Sequence, residues 1–276
     1  MSLLTRLTFV AATLLSSPAL AGGTDPSAPA PDSGKVVKVY DGDTVTLASG
    51  DKVRLRWVNT PELRPAEAFG IDARDSASKL LMGQRVTLVY GPGDKRDGYG
   101  RLVAGIRTEE SDLSIHLLER GLAHVFIIPP DDLDPAALLA AQDEARSKKL
   151  GIWSLDEYAG ALHITSFHAN GKGDDAKHVN GEYLRVCNIT SQPIDLSGFT
   201  IENLSGDKFD LPAVSLPAGH TVKIHSGKGT HRADPSGQIA VYLGSDTPLY
   251  DNKRDKVTIR TKDGKVVTLR AHQTKG

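Results

Sequence analysis

The pattern of this chain changes once, near residue 158, and that change limits what it can fold into more than any single motif does. Between Lys35 and Ser154, the runs "VVKVY", "TVTLA", "KVRLRWV", "RVTLVY" and "LVAGIR" carry β-branched or alternating apolar residues and end near Gly, Asp or Pro, as strands do. Helical stretches are interleaved with them. After Gly70, residues Ala73, Ala77, Leu80 and Leu81 recur at helical spacing, and Gly83 stops the pattern. "DLSIHLLERG" reads as a second short helix closed by Gly121. A third has Asp134 as its cap and Pro135 at the first helical position, with Gly151 after its last turn. Five strands with three helices predict a small OB-type β-barrel, an α+β arrangement. Beyond Tyr158 the helical spacing disappears. "LHITSFHA", "EYLRVCNIT", "FTIEN", "HTVKIHSG", "QIAVYLG", "DKVTIR" and "KVVTLR" are short strands separated by turn residues, the spacing of an all-β sandwich.

Two domains therefore follow, over residues 35–155 and 161–272, each expected to bury its own core. Ahead of them, Arg6, the apolar "LTFVAATLLSSPAL" and the small-residue site Ala19-Leu20-Ala21 predict a signal peptide over residues 1–21, cleaved near Ala21. A membrane anchor is the competing reading, but the apolar run is short and interrupted by Ser16, Ser17 and Pro18. The expected destination is secreted or periplasmic, with residues 22–34 a flexible linker. Cys187, the single cysteine, excludes an intramolecular disulfide and sits in an alternating run that predicts a buried strand position. Seven of the nine histidines lie in the second domain without the close pairing of a zinc motif. The formal net charge of −1 means that any nucleic-acid binding must come from local charge.

The stretch "VVKVYDGDTVTL" poses the functional question. Asp41-Gly42 between alternating runs is a hairpin signal, in which glycine would supply positive φ. Asp41 and Asp43 could equally face a metal ion. Within about sixty residues lie Arg54 in a strand, "NTPE" from Asn59 to Glu62, and "DGYGR" from Asp97 to Arg101. Arg54 and Arg101 could be surface charges, and Glu62 could simply follow a turn at Pro61. Together they supply an acidic oxygen site, a carboxylate able to act as a base, and two guanidinium groups. Phosphodiester hydrolysis needs that set. A hard cation takes oxygen ligands and draws charge from a phosphoryl oxygen, a carboxylate deprotonates water, and arginine matches phosphate oxygens in pairs.

"YDGDTV", "VRLRWVNTPE", "DGYGR", "ERGLA" and "KKLGIWS" make the region from about Lys35 to Ser154 resemble the staphylococcal-nuclease-like (thermonuclease) family. The resemblance implies a calcium-dependent nuclease that hydrolyses DNA and RNA with little sequence preference and leaves 3′-phosphate products. It implies Asp43 as a direct Ca2+ ligand and Asp41 as support through water. Asn59 would give a second side-chain ligand and Thr60 its backbone carbonyl. Glu62 would be the general base, Arg54 and Arg101 would clamp the scissile phosphate, and Tyr99 would hydrogen-bond a neighbouring phosphate. Three positions depart from the family. Asn59 stands where aspartate is usual, Gly98 replaces a lysine before the tyrosine, and the aromatic pair that stacks on bases falls near Ile127 and Pro129.

Residues from about Ala161 to His272 resemble a lamin-tail domain, an immunoglobulin-like sandwich, through "NGEYLRVCNITSQPIDLSGFTIEN", "LPAGHTVKIHSG" and "PLYDNKRDKVTIRTKDGKVV". That resemblance specifies a fold and says little about function. An accessory module binding a surface, a polymer or nucleic acid is the expectation, without stable membrane insertion. Asn59 and the missing aromatics leave open a second class, a catalytically weak or inactive nucleic-acid-binding or adhesion scaffold. The oligomeric state is not set by the sequence.

Overall fold

The computed structural model describes residues 29–171 and 177–273. The expected signal peptide and the linker up to residue 28 lie outside the described residues.

The first unit is built from β1 (Ser33–Val39), β2 (Thr44–Leu47), β3 (Lys52–Leu55), β4 (Val58–Asn59), α1 (Gly70–Leu81), β5 (Arg85–Val89), β6 (Leu102–Arg107), α2 (Leu113–Glu119), β7 (His124–Val125) and α3 (Ala136–Ser147). Strands β1, β2, β3, β6 and β5 close into a barrel, with β3 and β6 parallel and the other pairs antiparallel. Closure removes sheet edges, and alternation sends Val36, Val45, Val53, Leu88, Leu102 and Ile106 inward. Ala73, Ala77 and Leu81 on α1 and Leu113, Leu117 and Leu118 on α2 pack against the same core. These are the five strands and three helices expected.

Two local readings need revision. The third helix starts one residue later than expected, with Pro135 at the capping position and the Ala136 amide donating to Asp134 Oδ1 at 3.0 Å. In the β1–β2 connection, Gly42 does not adopt positive φ. A Cβ there would stand 2.7 Å from Thr60 Cγ2 and 2.8 Å from Ala73 Cβ, so the glycine serves close packing rather than turn handedness. By contrast Gly264, between the last two strands, has φ +88° and is the simple turn expected.

The second unit contains β8 (Leu162–His168), β9 (Tyr183–Asn188), β10 (Ile194–Asp195), β11 (Phe199–Glu202), β12 (Lys208–Asp210), β13 (Ser215–Leu216), β14 (Thr221–His225), β15 (Arg232–Ala233), β16 (Ile239–Tyr242), β17 (Arg254–Thr261) and β18 (Val266–Gln273). Sheets β12-β11-β17-β18 and β15-β16-β14-β9-β8 enclose Leu184, Val186, Val222, Ile224, Ile201, Val257 and Ile259.

The expectation of two self-contained cores misses a third cluster. Ala145, Ile152 and Trp153 from the first unit pack with Tyr158, Cys187 and Ile189, flanked by Phe69 and Phe126. Cys187 is fully buried, as expected for a strand residue, and its thiol donates to the Val125 carbonyl across the boundary. The Ile127 amide donates to Gly219 O at 2.8 Å, and the Thr221 amide donates back to Ile127 O. Arg146 donates to the carbonyls of Ile189 and Gly160. Among the described residues no helix is long and apolar enough to cross a membrane.

Candidate active site

Three backbone segments converge at one end of the barrel. The β1–β2 connection carries Asp41 and Asp43, β3 carries Arg54, and β4 with the segment after it carries Asn59, Thr60 and Glu62. The absence of a Cβ on Gly42 lets the first segment lie against Thr60. The Thr60 amide and hydroxyl then both donate to Asp43 Oδ2, each at 2.9 Å. The Asp43 amide donates to Asp41 Oδ1 at 3.1 Å.

Arg54 lies inside this acidic cluster. Its Nη2 donates to Asn59 Oδ1 at 2.8 Å and stands 3.2 Å from Asp43 Oδ2. Its Nη1 donates to the carbonyls of Leu55 and Val58. Both terminal nitrogens are thus engaged with protein oxygens, an arrangement the phosphate-clamp expectation does not describe.

Arg101 is reached by a different route. Its Nε and Nη2 each lie 2.8 Å from Asp97 Oδ2. The Asp97 Oδ1 atom accepts from the amides of Tyr99 and Arg101, shaping the "DGYGR" loop. Tyr99 is 84% exposed with the Arg101 guanidinium 5.4 Å from its ring centre.

Asp41 and Asp43 are both buried. Burial, and next the negative charge of Asp43, raise the Asp41 carboxyl to about 7, although Arg54 opposes this. Glu62 is exposed, but the protein packed around one side of it, followed by Asp43, raises its carboxyl above the ordinary range. Its remaining contact with solvent limits that rise.

Arg54, Glu62 and Arg101 line a cavity of about 350 Å³ together with Asp41 and Asp43. The same three residues, with Asn59 and Tyr99, also line an adjoining groove of about 590 Å³. Apart from Thr60, which reaches the site through Asp43, all the residues expected from the sequence border one of these two spaces.

Asp43, Asp41, the Asn59 amide oxygen and the Thr60 carbonyl are oxygen donors, which suits calcium rather than a thiolate- or imidazole-seeking ion. The Asp41 carboxyl, raised by burial and then by the charge of Asp43, gains from an added cation. The residues fit, at low charge: among the described residues no three carboxylate, imidazole or thiolate groups form a metal cluster.

The sequence pattern of the staphylococcal nuclease homologue family matches residues 52–155, and that of the lamin tail domain matches residues 156–274. A thermonuclease of Staphylococcus intermedius is 34% identical over 125 residues, which are 43% of this chain and 74% of that protein. The chain belongs to the staphylococcal nuclease homologue family. The endonuclease YncB of Bacillus subtilis (strain 168) is 32% identical over 129 residues, covering 44% of this chain and 61% of the relative. The SPbeta prophage-derived endonuclease YokF of the same strain is 31% identical over 129 residues, 44% of each chain. The chain thus spans about half the length of these last two relatives, and the similarity is confined to less than half of its own residues.

This family member also carries site residues that the sequence reading passed over. The Glu62 amide donates to Glu67 Oε2 at 2.9 Å. Arg270, on the final strand of the second unit, pairs with Glu67 Oε1 at 3.0 Å and donates to the Ile164 carbonyl. Glu67 and Arg270 are 203 positions apart, and no local pattern signals their pairing. Asp97 lies in "DGYGR", where its spacing of four from Arg101 is the available signal.

Proposed function

We propose that the protein is a calcium-dependent phosphodiesterase acting on DNA and RNA with little sequence preference. The observation that carries this reading is the convergence of Arg54, Glu62 and Arg101 on both the acidic cavity and the groove beside it. Asp43, the Asn59 amide oxygen and the Thr60 carbonyl would hold calcium, with Asp41 supporting through water, and the bound ion would supply Lewis-acid charge at the phosphoryl oxygen. Glu62 accepts the proton of the attacking water, and its raised carboxyl makes it a better base near neutral pH. Arg101 offers its outward N–H groups to the phosphate, and Arg54 holds the Asp43 and Asn59 oxygens while adding positive charge beside the reacting centre. Tyr99, almost fully exposed at the groove, donates to a neighbouring phosphate. Backbone-directed contacts of this kind read no sequence.

Family membership, with relatives named as thermonuclease and endonuclease, supports hydrolysis over the scaffold reading. So does the retention of Arg54, Glu62 and Arg101 together. The 3′-phosphate product, export through residues 1–21, and the accessory binding role of the sandwich belong to the same proposal. The decisive assay is digestion of plasmid DNA by the mature full-length protein with calcium and with excess chelator. Cleavage that needs calcium and ends in 3′-phosphate is the expected result; activity in chelator would overturn the metal role.

A further inference from the structure

The cavity holding Asp41, Asp43 and Glu62 has a further wall that the proposed chemistry leaves unused. Lys38, Tyr40, Thr46 and Lys52 line it beside Arg54 and Arg101. They come from one outward face of the barrel. Lys38 pairs with Thr46, Thr46 with Lys52, and Thr44 with Arg54. Strands β1, β2 and β3 thus present a row Lys38–Thr46–Lys52 next to the row that contains Arg54. Val45 and Val53, alternating with these residues, point into the barrel core.

Charge in this cavity is layered. Asp41 and Asp43 are 7% and 5% exposed and form its floor, whereas Lys38 and Lys52 are exposed and form its rim. Among the described residues neither lysine has an ion-pair partner. Asp51, beside Lys52 in the chain, is taken by Arg96 at 2.9 Å and by the Ser49 hydroxyl. Strands stand about 4.8 Å apart and rise about 3.3 Å per residue. The two lysines are therefore about 10 Å apart across β2, and Lys52 is about 7 Å along β3 from Arg54. Lys52 also lines a further hollow of about 430 Å³ with Tyr99 and Arg101, so the cationic rim continues to the "DGYGR" loop.

We infer that Lys38 and Lys52 form a seat for backbone phosphates of the polynucleotide, on the barrel side of the scissile bond. The inference rests on the nuclease reading, which makes this cavity the place of hydrolysis. The side is set by the linings: Thr165, Ser166 and Arg185 of the second unit wall the adjoining groove, while the lysine-rimmed cavity is lined by barrel residues alone. The occupant is argued from charge and continuity. A net charge of −1 gives the chain no general attraction for polyanions. Unpaired cations that lead away from a reacting centre suit a repeating anion, and lysine meets phosphate as a point charge without reading a base. Strands long enough to reach the seat are then better substrates than a dinucleotide, through binding rather than chemistry.

The test uses the full-length protein, a labelled single strand of about 12 nucleotides and a dinucleotide. Binding of the long strand is measured by anisotropy in chelator across a salt series, and kcat and KM for both substrates are measured in calcium. Lys38→Gln and Lys52→Gln should each weaken binding about 5-fold at roughly 0.1 M salt and lower the logarithmic salt slope by about 0.7. The double variant should lose about 25-fold. In calcium, the kcat/KM advantage of the long strand over the dinucleotide should shrink by the same factors, with the loss in KM. Lys52→Arg should keep parental binding, which separates charge from strand geometry. Lys256→Gln removes an exposed lysine on β17 that lines neither space and should also keep it, for the same change in net charge. Losses no larger than those of Lys256→Gln, or equal losses on the dinucleotide and the long strand, would overturn the seat and leave the nuclease reading standing. Lysine-dependent binding by a parent that cleaves nothing in calcium would sustain the seat and refute the nuclease.

Discussion

A single guanidinium nitrogen of Arg54 spans the two side chains expected to hold calcium, at 2.8 Å from Asn59 Oδ1 and 3.2 Å from Asp43 Oδ2. Asn59 gives this nitrogen a neutral acceptor, so Arg54 balances Asp43 more than it balances its other partner. Asn59→Asp adds a second carboxylate at the same nitrogen and at the expected metal position. Calcium binding should tighten, and the activation curve should move to lower concentration by about tenfold, from the high-micromolar to millimolar regime of lightly charged sites. Maximal rate need not rise, since a tighter ion is not a better-placed Lewis acid. A calcium titration of DNA hydrolysis at fixed ionic strength decides this. An aspartate variant needing more calcium than the parent would count against the assignment.

Glu62→Gln and Arg101→Ala should each lower turnover by about 10²-fold or more, as for loss of a base or of a transition-state donor. Glu62 is exposed, and Arg101 is partly buried in its pair with Asp97, so melting temperatures should change little. Arg101→Ala leaves Asp97 without its ion pair while preserving the loop amides that Asp97 accepts. A folded variant with near-parental turnover would exclude that residue from the chemistry.

Acid should affect the site in two steps. Asp41 is raised to about 7, so a proton occupies it increasingly as pH falls through that value, and apparent calcium affinity should fall with it. Burial, followed by the charge of Asp43, also raises Glu62, and turnover at saturating calcium should fall as that carboxylate takes up its proton. Measuring calcium midpoint and saturated rate across pH 5 to 8, the range for such titrations, separates the two. A calcium midpoint constant across that range would contradict the Asp41 role.

Two buried histidines make the domain boundary acid-sensitive. Burial lowers His124 to about 4 and His163 well below its ordinary value. Both are therefore neutral in the fold, while the unfolded chain takes up protons near pH ~6.5. Their contribution to stability is full above that pH and is lost as pH falls toward 4, on the order of 3 kcal/mol for His124 alone. His163→Phe preserves the stack on Tyr158, now 4.2 Å between ring centres, and should flatten the decline in melting temperature between pH 6.5 and 4. An unaltered decline would place the acid lability elsewhere.

The Arg270–Glu67–Glu62 chain ties the second domain to the proposed base. Arg270→Ala should reduce kcat about 3- to 10-fold, the scale of a lost supporting hydrogen bond, with the calcium midpoint unchanged. Removing the whole domain after Leu155 should cost more. It uncovers Ile152 and Trp153 and strips Arg146 and Gln142 of the Ile189 carbonyl, so the shortened chain should melt several degrees lower or self-associate. Thermal scans and light scattering would show it, and a truncation as stable as the parent would mean the seam contributes nothing.

What the sequence determined here was local. Alternation and helical spacing in 35–155 and alternation alone beyond 161 specify which faces turn inward, and that is enough for a five-stranded barrel followed by a sandwich. The candidate site drew on motifs as well: Asp43, Arg54, Asn59, Glu62 and Arg101 lie within short stretches whose resemblance to a known family supplies their expected roles, and a few strand-end turns suffice to gather them. Tertiary structure decided whatever depends on approach between distant segments. Gly42 proved to be a packing contact with Thr60 rather than a turn of special handedness. Arg54 faced the acidic oxygens because β3 delivers it there. Arg270 reached Glu67 across 203 residues, and Ile127 became a docking point hydrogen-bonded to Gly219 and Thr221. No periodicity encodes these relationships, because they arise from shape and hydrogen-bond matching between surfaces that exist only after each domain has closed around its core.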